Sequence, residues 1–178
     1  MRIVYYIMSV MMIVVAIGAG DGSLVSAKTF EAGHASTSWI GSGEIHDLPD
    51  GGQVINAIVK GKMLVRHSKD AVGGIIHTAN LECPIRVTLN KNNHRTYLGL
   101  CTILAHGGKD LAYAQWKCEG DLDECEGEFT FTGGAGEFSG ASGTTPFFSR
   151  IIFEELEAGK AQAVGHASWP NLTIMLPK

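Results

Sequence analysis

Between Ile55 and Arg66 the chain alternates with a period of two. Ile55, Ala57, Val59, Gly61, Met63 and Val65 form an apolar set, and Asn56, Ile58, Lys60, Lys62, Leu64 and Arg66 a mixed one. Successive side chains of a strand point to opposite faces, so this pattern predicts a half-buried strand. The period recurs in Ile85, Val87 and Leu89 against Arg86 and Thr88, and in Phe129 and Phe131 against Glu128, Thr130 and Thr132. Further extended segments are expected at about 37–46, 72–82, 96–105, 111–118, 147–156 and 161–175. Turn chemistry at Asp50-Gly51-Gly52, at 90–93 and at Gly107-Gly108 separates them. Only 153–162 has a helix-like composition. Eight or nine short antiparallel strands suggest a sandwich or a closed barrel. The barrel is preferred because closure removes exposed edges, and the small residues Ala161, Ala163, Gly165 and Ala167 suit tight curvature.

The cysteines test this strand order. A hairpin that sets Cys83 opposite Cys101 also sets Ile85 opposite Gly99, Val87 opposite Tyr97 and Leu89 opposite Arg95. It leaves a five-residue loop, 90–94, rich in the Asn that tolerates positive φ. Folding the next strand back through 107–110 would place Trp116 opposite Cys101 and Ala114 opposite Ile103, gathering Cys83, Cys101, Tyr97 and Trp116 on the core face. Cys118 and Cys125 would then close the following loop, so the expected bridges are Cys83–Cys101 and Cys118–Cys125. Zinc is the competing use of four cysteines, but no pair has the two-residue spacing that zinc sites favour. An even cysteine number points to an oxidising compartment.

The N-terminus agrees with that compartment. After Arg2, no charge occurs from Ile3 to Gly20, and Val25-Ser26-Ala27 offers small residues before a cut at Lys28. This predicts a signal peptide over 1–27 and a single domain over 28–178, exported to the periplasm or outside the cell, with no membrane span after cleavage. The rival reading is a retained anchor, set against Gly18, Gly20 and Gly22 near the end of the run. The mature chain loses one base and one acid and keeps a formal net charge of −4. Without a Lys/Arg run, nucleic acid is not an expected partner. Nothing calls for a nucleotide or other cofactor.

The segment Phe129-Thr-Phe-Thr-Gly-Gly-Ala-Gly-Glu-Phe-Ser-Gly-Ala-Ser-Gly143 carries Gly133, Gly134, Gly136, Phe138, Gly140 and Gly143. It resembles the strand and glycine-rich loop of dirigent and allene-oxide-cyclase-like (calycin-type) β-barrels. The order Trp116-Lys-Cys118, Cys125-Glu-Gly127 and then this loop is similar to small exported bacterial proteins of uncharacterised function. The resemblance covers about 81–143 and implies architecture and not a reaction, since that group includes cyclases, proteins that steer coupling of reactive intermediates, and members without known activity. Read from the residues alone, the glycines allow a sharp turn across the barrel end, with Phe138 plugging the mouth. A phosphate cradle fits poorly: there is no Lys-Ser/Thr pair, and Ser139 stands where a third glycine is wanted.

No catalytic constellation is found. No serine sits in a G-x-S-x-G elbow, and oxidised cysteines are not nucleophiles. The acids Glu44, Glu82 and Glu154 fall on strands and are expected to face solvent. The acidic stretch around Asp121 and Asp123 departs from a calcium loop at Cys125, and the seven histidines show no ligand pairing, so no metal site is assigned. Asn171-Leu-Thr173 matches a glycosylation sequon. Three function classes remain. The first is non-catalytic binding of a small apolar or amphipathic ligand or a partner, with Trp39, Tyr97 and Trp116 as lining candidates. The second is an isomerase or cyclase acting by confinement. The third is a structural or interaction protein, including a homo-oligomer, hinted at by Ile58 and Leu64 on an otherwise polar face.

Overall fold

The computed structural model describes residues 28–66, 76–121, 123–157 and 159–177; the expected signal peptide lies outside them. The strands are β1 (Lys28–Asp47), β2 (Gln53–Arg66), β3 (Thr78–Leu89), β4 (Arg95–Ala105), β5 (Asp110–Gly120), β6 (Glu124–Ala135), β7 (Gly143–Glu157) and β8 (Lys160–Leu176). Each pairs antiparallel with the next, and β8 pairs with β1, closing an eight-stranded barrel. Among the described residues there is no α-helix, only short 3₁₀ turns at His106–Gly108 and Gly136–Phe138.

Disulfides join Cys83 to Cys101 and Cys118 to Cys125. The expected β3–β4 register is the observed one: Ile85 faces Gly99, Val87 faces Tyr97 and Leu89 faces Arg95. In the connecting turn the Asn90 side chain accepts hydrogen bonds from the backbone N–H of Asn92 and His94, while Asn93 takes a positive φ of 61°. Three sequence expectations need correction. The separate segments at about 72–82 and 85–89 are one strand in the described part, which fixes the count at eight. Pro84 explains the apparent break: it has no N–H, and the β3–β4 ladder is interrupted beside it, between Glu82 and Ile85. Secondly, Trp116 lies opposite Gly99, not Cys101, and Ala114 opposite Cys101, not Ile103. The turn occupies 106–109, because Ala105 pairs with Asp110. A shift of two residues keeps every side chain on its face, so the hydrophobic pattern could not distinguish the two registers. Thirdly, the helix-like 153–162 forms the β7–β8 hairpin, with Gly159 at φ 81° in the turn. Pairing with neighbours overrides a local helical composition there.

The loops divide between the two barrel ends. One end carries the β4–β5 and β6–β7 connections together with the chain's C-terminal residues. There Phe138, Ile103, Leu172 and Ile174 are fully buried and fill the interior. Phe138 occupies this end as the glycine-rich turn suggests, and Gly133, Gly136, Gly140 and Gly143 all take positive φ. Gly134 is the exception, being a close-approach position beneath Phe138.

Asp110 holds this end together. Its Oδ1 accepts the backbone N–H of Glu137 at 3.0 Å, and its Oδ2 lies 2.7 Å from Nδ1 of His106. The Glu137 amide foremost, and His106 after it, hold the Asp110 carboxyl below its ordinary value. Asp121, at the opposite end, is held low in the same way by the amides of Asp123 and Glu124. A depressed carboxyl contributes stability that is complete above its unfolded value, about 3.9, and disappears as pH falls through the folded value. The melting temperature is therefore expected to fall on acidification below about pH 4, and to fall less steeply in Asp110→Asn. Parallel pH profiles for the two proteins would contradict this role.

Candidate functional site

The barrel is not filled along its whole length. Away from the Phe138 end the interior opens into a cavity with about 90 Å³ of room for the centres of water-sized molecules, several times what one water needs. Trp169, Phe129 and Phe147 bound it on the packed side. Phe129 meets Trp169 edge-on at 5.2 Å between ring centroids, and Phe147 stacks on Trp169 at 5.8 Å. Phe131 and Leu172 lie further along β6 and β8 toward the packed end, outside the lining. The remaining wall is mostly small or aliphatic: Ala57, Val59, Ile85, Val87, Ala161 and Ala163.

The three aromatic residues singled out from the sequence, Trp39, Tyr97 and Trp116, all border this cavity. Glycine on the neighbouring strand positions both tryptophans. Trp39 faces Gly165 across the β1–β8 ladder, and a Cβ at Gly165 would run into the Trp39 ring. Trp116 faces Gly99 across β4–β5, and a Cβ at Gly99 would run into the Trp116 ring. The small residues read as a device for curvature thus also let indole rings lie flat along the wall, as aromatic residues do over strand glycines. The disulfide-bonded Cys83, Cys101 and Cys125 belong to the same lining.

Polar groups in the wall are few. The Tyr97 hydroxyl donates to the backbone carbonyl of Asp121 at 3.3 Å. Burial pushes the Tyr97 phenol up, partly offset by the adjacent Arg95. Ser149 donates to the His166 carbonyl at 3.2 Å. Arg95 is different. It is the first residue of β4, only 4 % exposed, and its side chain crosses the hollow so that the guanidinium carbon lies 5.2 Å from the Phe153 ring centroid on β7. Its Nε is buried without a hydrogen-bond partner, and no carboxylate among the described residues lies within ion-pairing distance. Asp121 is the nearby acid, but its Oδ1 accepts the amides of Asp123 and Glu124. Burying an unpaired charge costs several kcal/mol, so this arrangement is expensive unless a further group completes it. Among the described residues, the indole Nε1 of Trp169 is the other buried side-chain donor without a partner.

The remaining candidates are not drawn together. Glu44, Glu82 and Glu154 lie on the outer surface, and Glu82 pairs with Lys60 at 3.0 Å. Asp121 and Asp123 form a tight turn between β5 and β6, while Glu126 and Glu128 are exposed. His94 lies in the exposed β3–β4 turn, and His106, Asp110 and Glu137 meet on the surface of the packed end. Asn171 is exposed on β8. Sequence reasoning passed over Arg95 and Trp169. The pairing of Leu89 with Arg95 already put Arg95 on the face of Val87 and Tyr97, so an inward-facing charge was the available signal.

Comparison with protein-family models, with curated proteins and with solved structures returns no match. The fold and the cavity chemistry therefore carry the functional argument.

Proposed function

We propose that this protein is a non-catalytic binder of a small apolar or amphipathic molecule, held inside the barrel, and that it works after export to the periplasm or the cell exterior. The observation that carries the reading is the aromatic-walled cavity beside an interior that is otherwise packed. An eight-stranded barrel has room either to fill itself with side chains or to hold one small ligand, and here the hollow half is left open between tryptophans propped on glycines and a small or aliphatic wall. Export is supported by the two disulfides, which persist in oxidising compartments, and by the charge-free N-terminal run. Kinship with dirigent and allene-oxide-cyclase-like barrels belongs to the same proposal and rests on the glycine-rich segment.

The test combines mass spectrometry of gently purified protein with thermal shift against a panel of lipids and metabolites. A ligand at about 100 times its Kd stabilises the folded state by about 2.7 kcal/mol, a readily measured shift. Ala163→Phe, which fills the hollow, is expected to keep the fold and lose that shift. An empty purified protein with no response to the panel would remove the reading's support.

A second reading, self-association through the barrel exterior, draws on one patch. Ile40, Val164 and Ile152 are neighbours across β1, β8 and β7, with exposures of 61 %, 40 % and 72 %. Ile58 and Leu64 are exposed as well, at 47 % and 56 %. Light scattering that finds a monomer at high concentration would dismiss it.

A further inference from the structure

We propose that Arg95 is the recognition group for a carboxylate, so that the ligand of the barrel is a small monocarboxylic acid whose apolar part fills the cavity. The inference rests on the ligand-binding reading above and deepens it. Three observations converge. The guanidinium is almost wholly buried yet has no acid partner among the described residues. Its Nε–H is unpaired, and Nε–H together with a neighbouring terminal N–H forms the edge that receives both oxygens of a carboxylate in two parallel hydrogen bonds. Arg95 also borders the cavity itself, whose other walls are mostly apolar, so one molecule can present its charged end to Arg95 and its apolar end to Trp39 and Trp116.

The surroundings favour this occupant. Phe153 supports the guanidinium through its ring, 5.2 Å from the guanidinium carbon, and supplies no hydrogen-bond acceptor that would compete with an anion. Asp121, the acid whose carboxyl feels the Arg95 charge, sits with Asp123 in the β5–β6 turn, its carboxylate already satisfied by backbone amides. A dianionic headgroup would bring a second negative charge to a lining in which Arg95 is the one charged residue among those described, whereas a carboxylate needs one guanidinium edge. The size of the hollow, about 90 Å³ against the roughly 150 Å³ of an apolar cavity that admits benzene, suits a short aliphatic tail better than a long-chain one.

The experiment measures binding of hexanoate, hexanamide, 1-hexanol and hexyl phosphate to the intact oxidised protein by calorimetry and ligand-observed NMR. Wild type is expected to prefer hexanoate over 1-hexanol by about tenfold to a hundredfold, the range for hydrogen bonds to a charged group. As pH falls through the acid's own titration, its affinity should decline toward that of the alcohol. Arg95→Met should abolish the preference and bind the alcohol at least as well as wild type does. Its melting temperature should be unchanged or raised, because an apolar side chain replaces an unpaired buried charge; an arginine that only braced the fold would give a lower one. If Arg95→Met does not fold, Arg95→Lys, which keeps the charge and loses the two-bonded edge, is expected to keep only part of the preference. Equal affinity for acid and alcohol in wild type, or stronger binding of hexyl phosphate, would overturn the assignment and leave the ligand-binding reading standing. Binding of none of the four compounds would overturn both.

Discussion

Removing the Cys83–Cys101 bridge by a double alanine substitution is expected to lower the unfolding free energy by about 3 kcal/mol, and removing Cys118–Cys125 by about 2 kcal/mol, from the loop each bridge closes in the unfolded chain. The bridges span 18 and 7 residues, which is why the first is worth more. Losing both would cost about 5 kcal/mol, as much as the whole stability of a marginal domain. The first bridge has a second role in the folded state. It clamps β3 to β4 beside Pro84, where the hydrogen-bonded ladder is interrupted. Urea unfolding of the oxidised protein and the two double variants, read for midpoint and slope, checks this. Midpoints that do not move would mean that β-pairing alone carries the stability.

The second large effect is expected at Trp169. Its indole is 2 % exposed and contacts the rings of Phe129 and Phe147 where the packed half of the barrel meets the hollow half. Truncation removes a large buried surface and leaves a cavity the rigid barrel cannot collapse, so Trp169→Ala should cost about 3–5 kcal/mol. Trp116→Ala is the natural comparison. Trp116 is only partly buried and lies over Gly99 on the cavity wall, so it should cost less stability. Thermal or urea unfolding of both variants gives the ranking, and equal losses would mean that the aromatic cluster at Trp169 is not the keystone the packing indicates.

The cavity was half legible from the chain. Period-two alternation puts Trp116 and Tyr97 on the core face, and the short Asn-rich loop together with the expected Cys83–Cys101 pairing points to the β3–β4 register that is observed. A register error of two residues at the next turn did not move Trp116 to the outside, because the side-chain period of a strand is two. The helix-like stretch at 153–162 misled for a different reason: its Glu, Leu, Ala and Lys residues suit a helix locally, and only pairing with β8 makes it a strand. Arg95 was hidden by its type, because an arginine in a strand list reads as a solvent-facing residue until its neighbours across the barrel are known.

By itself the sequence determined the alternation that makes strands, the expected pairing of the four cysteines, the glycine-rich turn that Phe138 caps, and the inward faces of β2 to β6, because these depend on nearest neighbours along the chain or across one hairpin. Tertiary structure alone decided what those inward faces meet. Closure of β8 on β1 joins residues more than a hundred positions apart, lays Trp39 over Gly165, and brings Phe153 to the guanidinium of Arg95. No local pattern encodes a contact between side chains three strands apart. It exists only once the sheet has curved far enough to face itself, and that curvature turns an inward arginine into a buried cation beside an apolar cavity.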